Sequence, residues 1–392
     1  MSARVHVSVK PALYHWACER NGQTIEGFLK TFPKLNQWAA GEASPTVKQL
    51  ESFAAKTRTP FGYFFLDEPP EEPLPINDFR TLEGTAPSRP SPDLLDILYT
   101  CLRRQDWYRD YAEAAGEEPR SFVGSAKVGD DVVKTAAEIR RVLDFDPTNK
   151  KVKNWEDALR SFVEKAEAAG ILVMRSGMVG HHHTRKLEVE EMRGFALADK
   201  LAPVVFVNAN DAKAAQMFTM AHEIAHLWTG ESALSDPDPS NAEKRTVEKW
   251  CDAVAAETLV PLRSLDGALL NKRDVMLEVS NLATLFRVSQ LVILIRLRDA
   301  KRISQQTFVE AYEGRLAAFA SQRAEEKESA TGSKRGPSFY QTAPTRLSKR
   351  FARAVVRDAI EGRTLYRDAL ALIGAKNVDS LTKLGKRLEV DS

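Results

Sequence analysis

The stretch AHEIAHLWTG, residues 221–230, contains two histidines four positions apart, with a glutamate directly after the first. The apolar pattern around it predicts a helix over about residues 211–230. On a helix, His222 and His226 lie one turn apart on one face, so both imidazoles can approach one cation at roughly 2.0–2.1 Å. Glu223 points about 100° away around the helix axis and can instead reach a water on that cation. The spacing therefore predicts a metal site in which Glu223 is the general base.

The context of this motif favours a metal site over a surface helix that carries two unrelated histidines. The chain has 7 histidines in 392 residues, so a chance HExxH pattern is expected in about one of a hundred such chains. PVVFVN, residues 203–208, is a β-branched run just before the helix, and GILVMRSG (170–177) and MRGFALAD (192–199) are further strand candidates. We predict an α+β fold, mostly helical, whose central zincin-like domain combines a small sheet with the HExxH helix. Helical helix-turn-helix-like modules flank that domain.

The positions of the histidines restrict the third metal ligand. They are His6, His15, His181–His183, His222 and His226. No histidine follows position 226, which excludes the metzincin pattern, because that pattern needs a third histidine shortly downstream. The third ligand is then a carboxylate, a thiolate or an upstream histidine. The downstream candidates are Glu231, Asp236, Asp238, Glu243, Glu248, Cys251, Asp252 and Glu257.

A second predicted helix, in TVEKWCDAVAAETLVP at 246–261, ranks these candidates. Its small and apolar side is marked by Cys251, Val254, Ala255 and Leu259. Glu248 lies on that side, where a carboxylate is costly to bury unless a charge or a metal pairs with it. Asp252, one turn further on, is the main competitor, whereas Glu257 falls on roughly the opposite face. Cys251 is more readily explained as a small packed residue than as a ligand.

HEIAH followed by VEKWCDAVAAETLVP resembles the ImmA/IrrE family of zinc metallopeptidases, over roughly residues 165–261. In that family the third ligand is the glutamate four residues before an Asn or Asp, in a helix that ends in Leu-hydrophobic-Pro. The matching residue is Glu248, with Asp252 in the position that follows. Asp252 is also a candidate partner for the second ring nitrogen of a metal-bound histidine.

The resemblance implies a function as well as a ligand set. It implies one Zn²⁺ per chain, held by His222, His226 and Glu248 in a gluzincin-like site. It also implies an endopeptidase in which Glu223 activates the water that cleaves a regulatory protein, such as a repressor or an antitoxin. A peptide would bind as an added strand at a sheet edge, with MRGFALAD or PVVFVN as the candidate edges. The run His181–His183 is a candidate oxyanion donor, although a solvated loop is the preferred interpretation.

Residues 11–66 resemble helix-turn-helix domains of the XRE/Cro-repressor type, in the segments LYHWACERNGQTIEGFL and LNQWAAGEASPTVKQLESFAAK. The implied DNA-binding residues are Lys34, Asn36 and Gln37 for the bases and Lys48 for a phosphate. Thr24 and Trp38 are 14 positions apart, about four fewer than the usual pattern. The alternative is therefore a helical module that contacts a partner protein or packs on the peptidase.

A second helix-turn-helix candidate is SNLATLFRVSQLVILIRLRD, residues 280–299. Its LVILIRL segment (291–297) is apolar almost all round, which is typical of a buried core helix and not of a helix in a DNA groove.

Charge and cysteine content restrict the compartment and the partners. The 56 basic and 54 acidic residues leave a net charge of +2, which offers no whole-chain argument for nucleic acid binding. Three dispersed cysteines form no CxxC pair and favour a reducing compartment. The N-terminus has no apolar signal segment, and no run is long enough to span a membrane, so we expect a cytoplasmic protein.

The chain is predicted to contain seven segments. They are an XRE-like helix-turn-helix domain (1–66), a Pro-rich linker (67–90), a helical connector (91–150), the zincin-like metallopeptidase domain (151–262), a helical helix-turn-helix-like segment (263–320), a flexible linker (321–345) and a C-terminal helical segment (346–392). This organisation also allows a second function, a DNA-binding transcriptional regulator or antitoxin component in which the zincin domain is a sensor or scaffold.

Overall fold

The computed structural model describes residues 5–78, 89–149, 153–180, 182, 184–235, 246–265, 274–329 and 346–390, with the backbone alone at 319–329. The chain divides into two compact units. Unit 1 comprises Met1–Pro75 and Ala86–Tyr99, and unit 2 comprises Ile76–Thr85 and Thr100–Ser392. The seven predicted segments divide the chain into more parts than these two units, and their boundaries stay predictions.

Unit 1 is a small helical module around an aromatic core. Its helices are α1 (Pro11–Arg20), α2 (Ile25–Phe28), α3 (Leu35–Ala39) and α4 (Val47–Thr57), and a 3-10 turn follows at Phe61–Phe65. Phe53 of α4 lies at the centre, with the rings of Phe32 and Trp38 packed edge-on against it. α4 begins with a capping box in which Thr46 and Gln49 satisfy each other's backbone amides.

Unit 2 contains a sheet and most of the helices. The helix α5 (Pro92–Ala114) begins in unit 1 and continues into unit 2. The strands are β1 (Asn77–Asp78), β2 (Leu172–Ser176), β3 (Gly194–Leu197), β4 (Val204–Asn208) and β5 (Ala233–Ser235). The helices that follow α5 are α6 (Val132–Val142), α7 (Trp155–Ala168), α8 (Lys213–Thr229), α9 (Thr246–Leu259), α10 (Val275–Phe286), α11 (Gln290–Asp299) and α12 (Gln305–Ser329), then α13 (Lys349–Ile360), α14 (Tyr366–Ile373) and α15 (Val378–Arg387). The described part of the chain is thus mostly helical with one small sheet, which confirms the predicted α+β class.

The sheet is mixed, with the strand order β1-β5-β3-β4-β2. β2 and β4 are parallel, β3 is antiparallel to both β4 and β5, and β1 is parallel to β5. β3 and β4 therefore have a neighbour on each side. The expectation that a substrate peptide pairs with MRGFALAD or PVVFVN is wrong, because the backbone groups of both strands are already used within the sheet.

The helix α8 carries the HExxH motif and is buried along most of its length. Residues 216–228 are all buried, packed against the sheet and α9. The helix begins after Ala212, which provides no side-chain cap. The amide of Asn210 donates to the carbonyls of Gly177 and Leu187. Gly230 ends the helix in the left-handed conformation, with φ of 76°.

A buried ion pair fixes the far end of α9. The guanidinium of Arg296 on α11 is paired with the carboxylate of Glu257 and donates to the carbonyl of Val260 at 2.9 Å. Arg140 on α6 donates to the Glu257 carbonyl at 2.5 Å. These contacts join three helices at one point. Residues 292–297 of the LVILIRL segment are buried, as its apolar pattern predicts.

Two predicted linkers contain regular structure. α12 extends to Ser329, so the first nine residues of the predicted flexible linker 321–345 are helical, and residues 330–345 lie outside the described part. The polar composition suggested a flexible segment, yet Ala, Glu, Lys and Arg are strong helix formers. The Pro-rich linker 67–90 contributes β1 to the sheet.

The C-terminal helices α13, α14 and α15 pack on one another, and α13 is joined to α7 at its first turn. The backbone amide of Lys349 donates to Glu167 Oε1 at 2.9 Å. Burial raises the pKa of the Glu167 carboxyl to about 7, against the lowering effect of its contacts with Ser348 and Lys349.

Within the described residues, no single helix is long and apolar enough to cross a membrane. Only the pair α10 and α11 reaches that length and composition together, and it is bent by 107°.

Candidate metal centre

Two helices supply the candidate ligands. α8 presents His222 and His226 from successive turns, and α9 presents Glu248 from its first turn. All three side chains are fully buried. Among the described residues they form a group whose ligand atoms all lie within 4.8 Å of one another. The structure therefore brings together the two motif histidines and the glutamate that the helical phase of α9 selects.

The ligand atoms of these side chains face a common point. The two Nε2 atoms of His222 and His226 are 3.1 Å apart. The carboxylate oxygens of Glu248 lie 3.0 Å from Nε2 of His226 and 3.3 Å from Nε2 of His222. Two imidazole nitrogens and a carboxylate at such separations are a donor set that zinc prefers, and this group can hold a metal ion.

Asp252 fixes the orientation of one imidazole. Nδ1 of His222 donates to Oδ1 of Asp252 at 2.9 Å. A proton held on Nδ1 leaves the lone pair of Nε2 directed toward Glu248, which is the tautomer a metal ligand needs. Asp252 lies four residues after Glu248, one turn along α9, so one helix supplies both the third candidate ligand and the carboxylate that orients His222.

The electrostatics of the centre favour positive charge. Burial disfavours the imidazolium of His222, but Glu248 and Asp252 outweigh burial and raise its pKa to about 10. Burial opposes ionisation of Glu248 as well, yet the two histidines hold its pKa below the usual range. Burial lowers the pKa of His226. Two carboxylates around one buried point stabilise a bound proton, and the same field would stabilise a divalent cation.

Glu223 lies fully buried against the sheet. Gly194 of β3 makes this approach possible, because a Cβ at that position would lie 3.1 Å from Cγ of Glu223 and 2.6 Å from Cγ2 of Thr219. The same Cβ would come within 2.8 Å of the carbonyl oxygen of Phe206. A glycine is thus required where α8 packs against β3.

Ser235 is a second residue that the motif did not reveal. Its hydroxyl lies 3.1 Å from Nε2 of His226, at the end of β5. A three-residue strand has too little periodicity to be read from the sequence. The sequence does contain a signal for Gly194, since an isolated glycine inside a strand pattern indicates a close approach of another part of the chain to the backbone.

The other candidate ligands lie elsewhere. Glu257 is ion-paired with Arg296, and Cys251 is a buried thiol whose pKa is raised by burial and by the nearby Glu248. Glu231 follows the end of α8 and is not in the three-residue group. Asp236, Asp238 and Glu243 lie outside the described residues. In the run His181–His183, only His182 is described, and it is exposed in the turn between β2 and β3.

The predicted DNA-binding residues lie on the surface of unit 1. Lys34, Asn36, Gln37 and Lys48 are all exposed. α3, which would be the recognition helix, has only five residues. Asn36 lines a cavity of about 480 Å³ together with Glu19 and Glu26, whose negative charges would repel a phosphate backbone. DNA binding by these four residues stays a prediction.

Comparison with known proteins identifies the segment that carries the metal centre. Residues 166–298 match the model of the IrrE N-terminal-like domain (Peptidase_M78). This match supports the resemblance to the ImmA/IrrE family and indicates metallopeptidase activity. The IrrE N-terminal-like segment spans β2 to α11 and contains His222, Glu223, His226 and Glu248. Residues 347–387 match a domain of unknown function (DUF8813), which covers α13 to α15. No curated protein and no solved structure gave a significant match.

Proposed function

We propose that this chain is a zinc-dependent endopeptidase of the gluzincin type. The observation that supports this proposal is the buried His222–His226–Glu248 group, with Glu223 on the next position of the same helix. A structural metal site uses four protein ligands, whereas a hydrolytic site keeps a position open. Three ligands beside a buried carboxylate therefore favour hydrolysis.

When bound in this group, zinc would supply the Lewis acidity that activates a water and polarises the scissile carbonyl. Residues of the chain supply the proton transfer, the orientation of the ligands and the negative charge of the site. Glu223 accepts the proton of the attacking water and passes it to the leaving amine. Asp252 holds His222 in the tautomer that keeps Nε2 available, and Glu248 supplies the negative charge that makes the site attractive to a dication.

We further propose that the substrate is a regulatory protein of the repressor or antitoxin kind. The support for this class is the resemblance to ImmA/IrrE peptidases. Substrate trapping would identify it: the Glu223→Gln variant, loaded with zinc, should retain a protein that the wild-type enzyme releases after cleavage.

Zinc content and hydrolysis of an unfolded protein, measured together, test the proposed activity. We expect Glu223→Gln to hold one zinc per chain and to lose hydrolysis by roughly 10²–10⁴-fold, the usual contribution of a general base. His222→Ala should lose the metal. Asp379→Asn, an exposed carboxylate on α15, is the matched control and should change neither. Equal metal content in wild type and His222→Ala would refute the site, and an unchanged rate in Glu223→Gln would remove Glu223 as the base.

A further inference from the structure

The short strand β1 lies at the outer edge of the sheet. Asn77 pairs with Ala233 and Asp78 with Leu234, so β1 runs parallel to β5 along the side that β3 leaves open. Without β1, the backbone groups on this side of β5 would be an exposed edge that an extended peptide can pair with. The chain's own segment occupies that edge.

The outer edge of β5 ends beside the candidate metal ligand His226. Ser235, the residue after Leu234, has its hydroxyl 3.1 Å from Nε2 of His226. On the inner side of β5, Ser235 pairs with Gly194, which packs against Cγ of Glu223. A peptide added to the outer side of β5 would therefore extend past the ligand His226. Among the described strands, β2 forms the opposite edge, separated from β5 by β3 and β4.

The pairing of β1 with β5 is short within the described residues, which end at Asp78 and Ser235 on these two strands. It comprises two residue pairs, and a parallel ladder is slightly less stable per residue than an antiparallel one. Pro75 has no N–H, which limits extension of the ladder toward the N-terminus. The prolines at 69, 70, 73 and 75 also favour an extended conformation. Displacing Asn77 and Asp78 from this ladder would break the backbone hydrogen bonds of only two residue pairs among the described residues.

The proline-rich segment that precedes β1 is anchored within unit 1. Glu72 accepts two hydrogen bonds from Arg20, at 2.6 and 2.8 Å, in a bidentate pair whose guanidinium is buried. Only four residues separate Glu72 from Asn77.

We propose that Asn77–Asp78 is a displaceable strap that covers the peptide-docking edge of β5, so that an extended substrate must first displace this segment of the enzyme. The proposal rests on the proposed peptidase function. A strap closed in about 90–99% of molecules would weaken the apparent affinity for a peptide by roughly 10–100-fold, the reciprocal of the open fraction.

Hydrogen exchange in the full chain tests the occupancy of the edge. Asn77→Pro and Asp78→Pro each remove one backbone donor from β1. We expect faster exchange at the amides of Ala233–Ser235 in at least one of them. Glu71→Pro, in the same segment but outside the ladder, is the matched control and should exchange like wild type. Unchanged exchange at Ala233–Ser235 in both ladder variants would overturn the proposal.

Hydrolysis of fluorescein-labelled casein by the zinc-loaded full chain tests whether β1 hinders the binding of a substrate to the edge of β5. The ladder variant with the faster exchange should cleave roughly ten times faster than wild type at casein concentrations below KM, and Glu71→Pro should cleave at the wild-type rate. Faster exchange with an unchanged cleavage rate would show that β1 does not block docking, and the proposal would fail.

A third measurement separates this proposal from the proposed function. A synthetic peptide of residues 72–78, EPLPIND, is added at millimolar concentration to the ladder variant with the faster exchange. It should slow exchange at Ala233–Ser235 whether or not the protein hydrolyses casein. If no variant cleaves casein but the peptide restores protection, the activity fails while the docking edge stands. If the peptide gives no protection, the edge does not accept an extended segment and the strap proposal fails.

Discussion

Replacing Asp252 by Asn should weaken zinc binding without dismantling the ligand group. The carboxylate accepts a hydrogen bond from His222 Nδ1 at 2.9 Å, and its side chain is only 12% exposed. Asn keeps an acceptor oxygen at the same place but removes the negative charge. Loss of such an outer partner costs about 10–100-fold in metal affinity, which corresponds to about 1.4–2.7 kcal/mol.

Asp252→Ala should have a larger effect than Asp252→Asn. It removes the acceptor as well as the charge and leaves a buried N–H of His222 without its carboxylate, which adds about 1–3 kcal/mol of desolvation cost. The expected order of zinc affinity is wild type, then Asp252→Asn, then Asp252→Ala. Glu248→Gln should fall below all three, because it alters a ligand itself.

Competition against a chromophoric chelator at fixed pH measures these affinities. Asp379→Asn serves as the control for a general loss of one carboxylate, since Asp379 is exposed on α15 and paired with Lys383. Thermal unfolding of each metal-free variant shows whether the fold is retained. If Asp252→Asn and Asp252→Ala both bind zinc as tightly as wild type, Asp252 does not orient the ligand, and the tautomer argument is refuted.

Three other perturbations test other parts of the chain. Arg296→Met should cost about 3–5 kcal/mol in urea unfolding, because it leaves the buried carboxylate of Glu257 unpaired; a loss under about 1 kcal/mol would contradict this. For Glu167, the folded pKa of about 7 lies above the usual 4.5. The free energy of unfolding of the wild type, relative to that of Glu167→Gln, should therefore be greatest below pH 4.5 and should fall by up to about 3 kcal/mol as the pH rises to 7. A rise or a flat difference between the two unfolding curves would refute the assigned shift. If unit 1 binds DNA, its affinity for the DNA upstream of its own gene, measured by gel shift, should fall steeply with salt concentration. Lys48→Ala should lower the slope of log affinity against log salt concentration by about 1. The absence of binding at low salt would eliminate the regulator hypothesis.

The sequence predicts the grouping of His222, His226 and Glu248 because the decisive features are local. Two histidines at i and i+4 define a helical face. The phase of TVEKWCDAVAAETLVP separates Glu248 from Glu257 before any tertiary contact is known. In the structure Glu248 does lie with the two histidines, and Glu257 lies with Arg296. The 3.6-residue period and the cost of burying a carboxylate separate Glu248 from Glu257, and the resemblance to the ImmA/IrrE family favours Glu248 over Asp252.

Sheet edges were harder to predict, because strand order depends on pairing between distant segments. MRGFALAD and PVVFVN were recognised as strands, but nothing in either shows that both are interior. The strands β5 and β1, which lie beyond β3 on one side of the sheet, have three and two residues, too few for a period-2 pattern. Asn77 and Ala233 are also more than 150 residues apart, and no local signal couples them.

The same distinction explains how the site is held together. α8 and α9 each carry their ligands in a readable local pattern, but the relative position of the two helices depends on contacts that neither pattern contains. Arg140 and Arg296 join α6 and α11 to the end of α9, and Gly194 sets how closely α8 approaches β3. The positions of the candidate ligands relative to one another therefore depend on residues far from them in the sequence. Substitutions at these supporting positions should reduce metal affinity even though none of their side chains is a ligand.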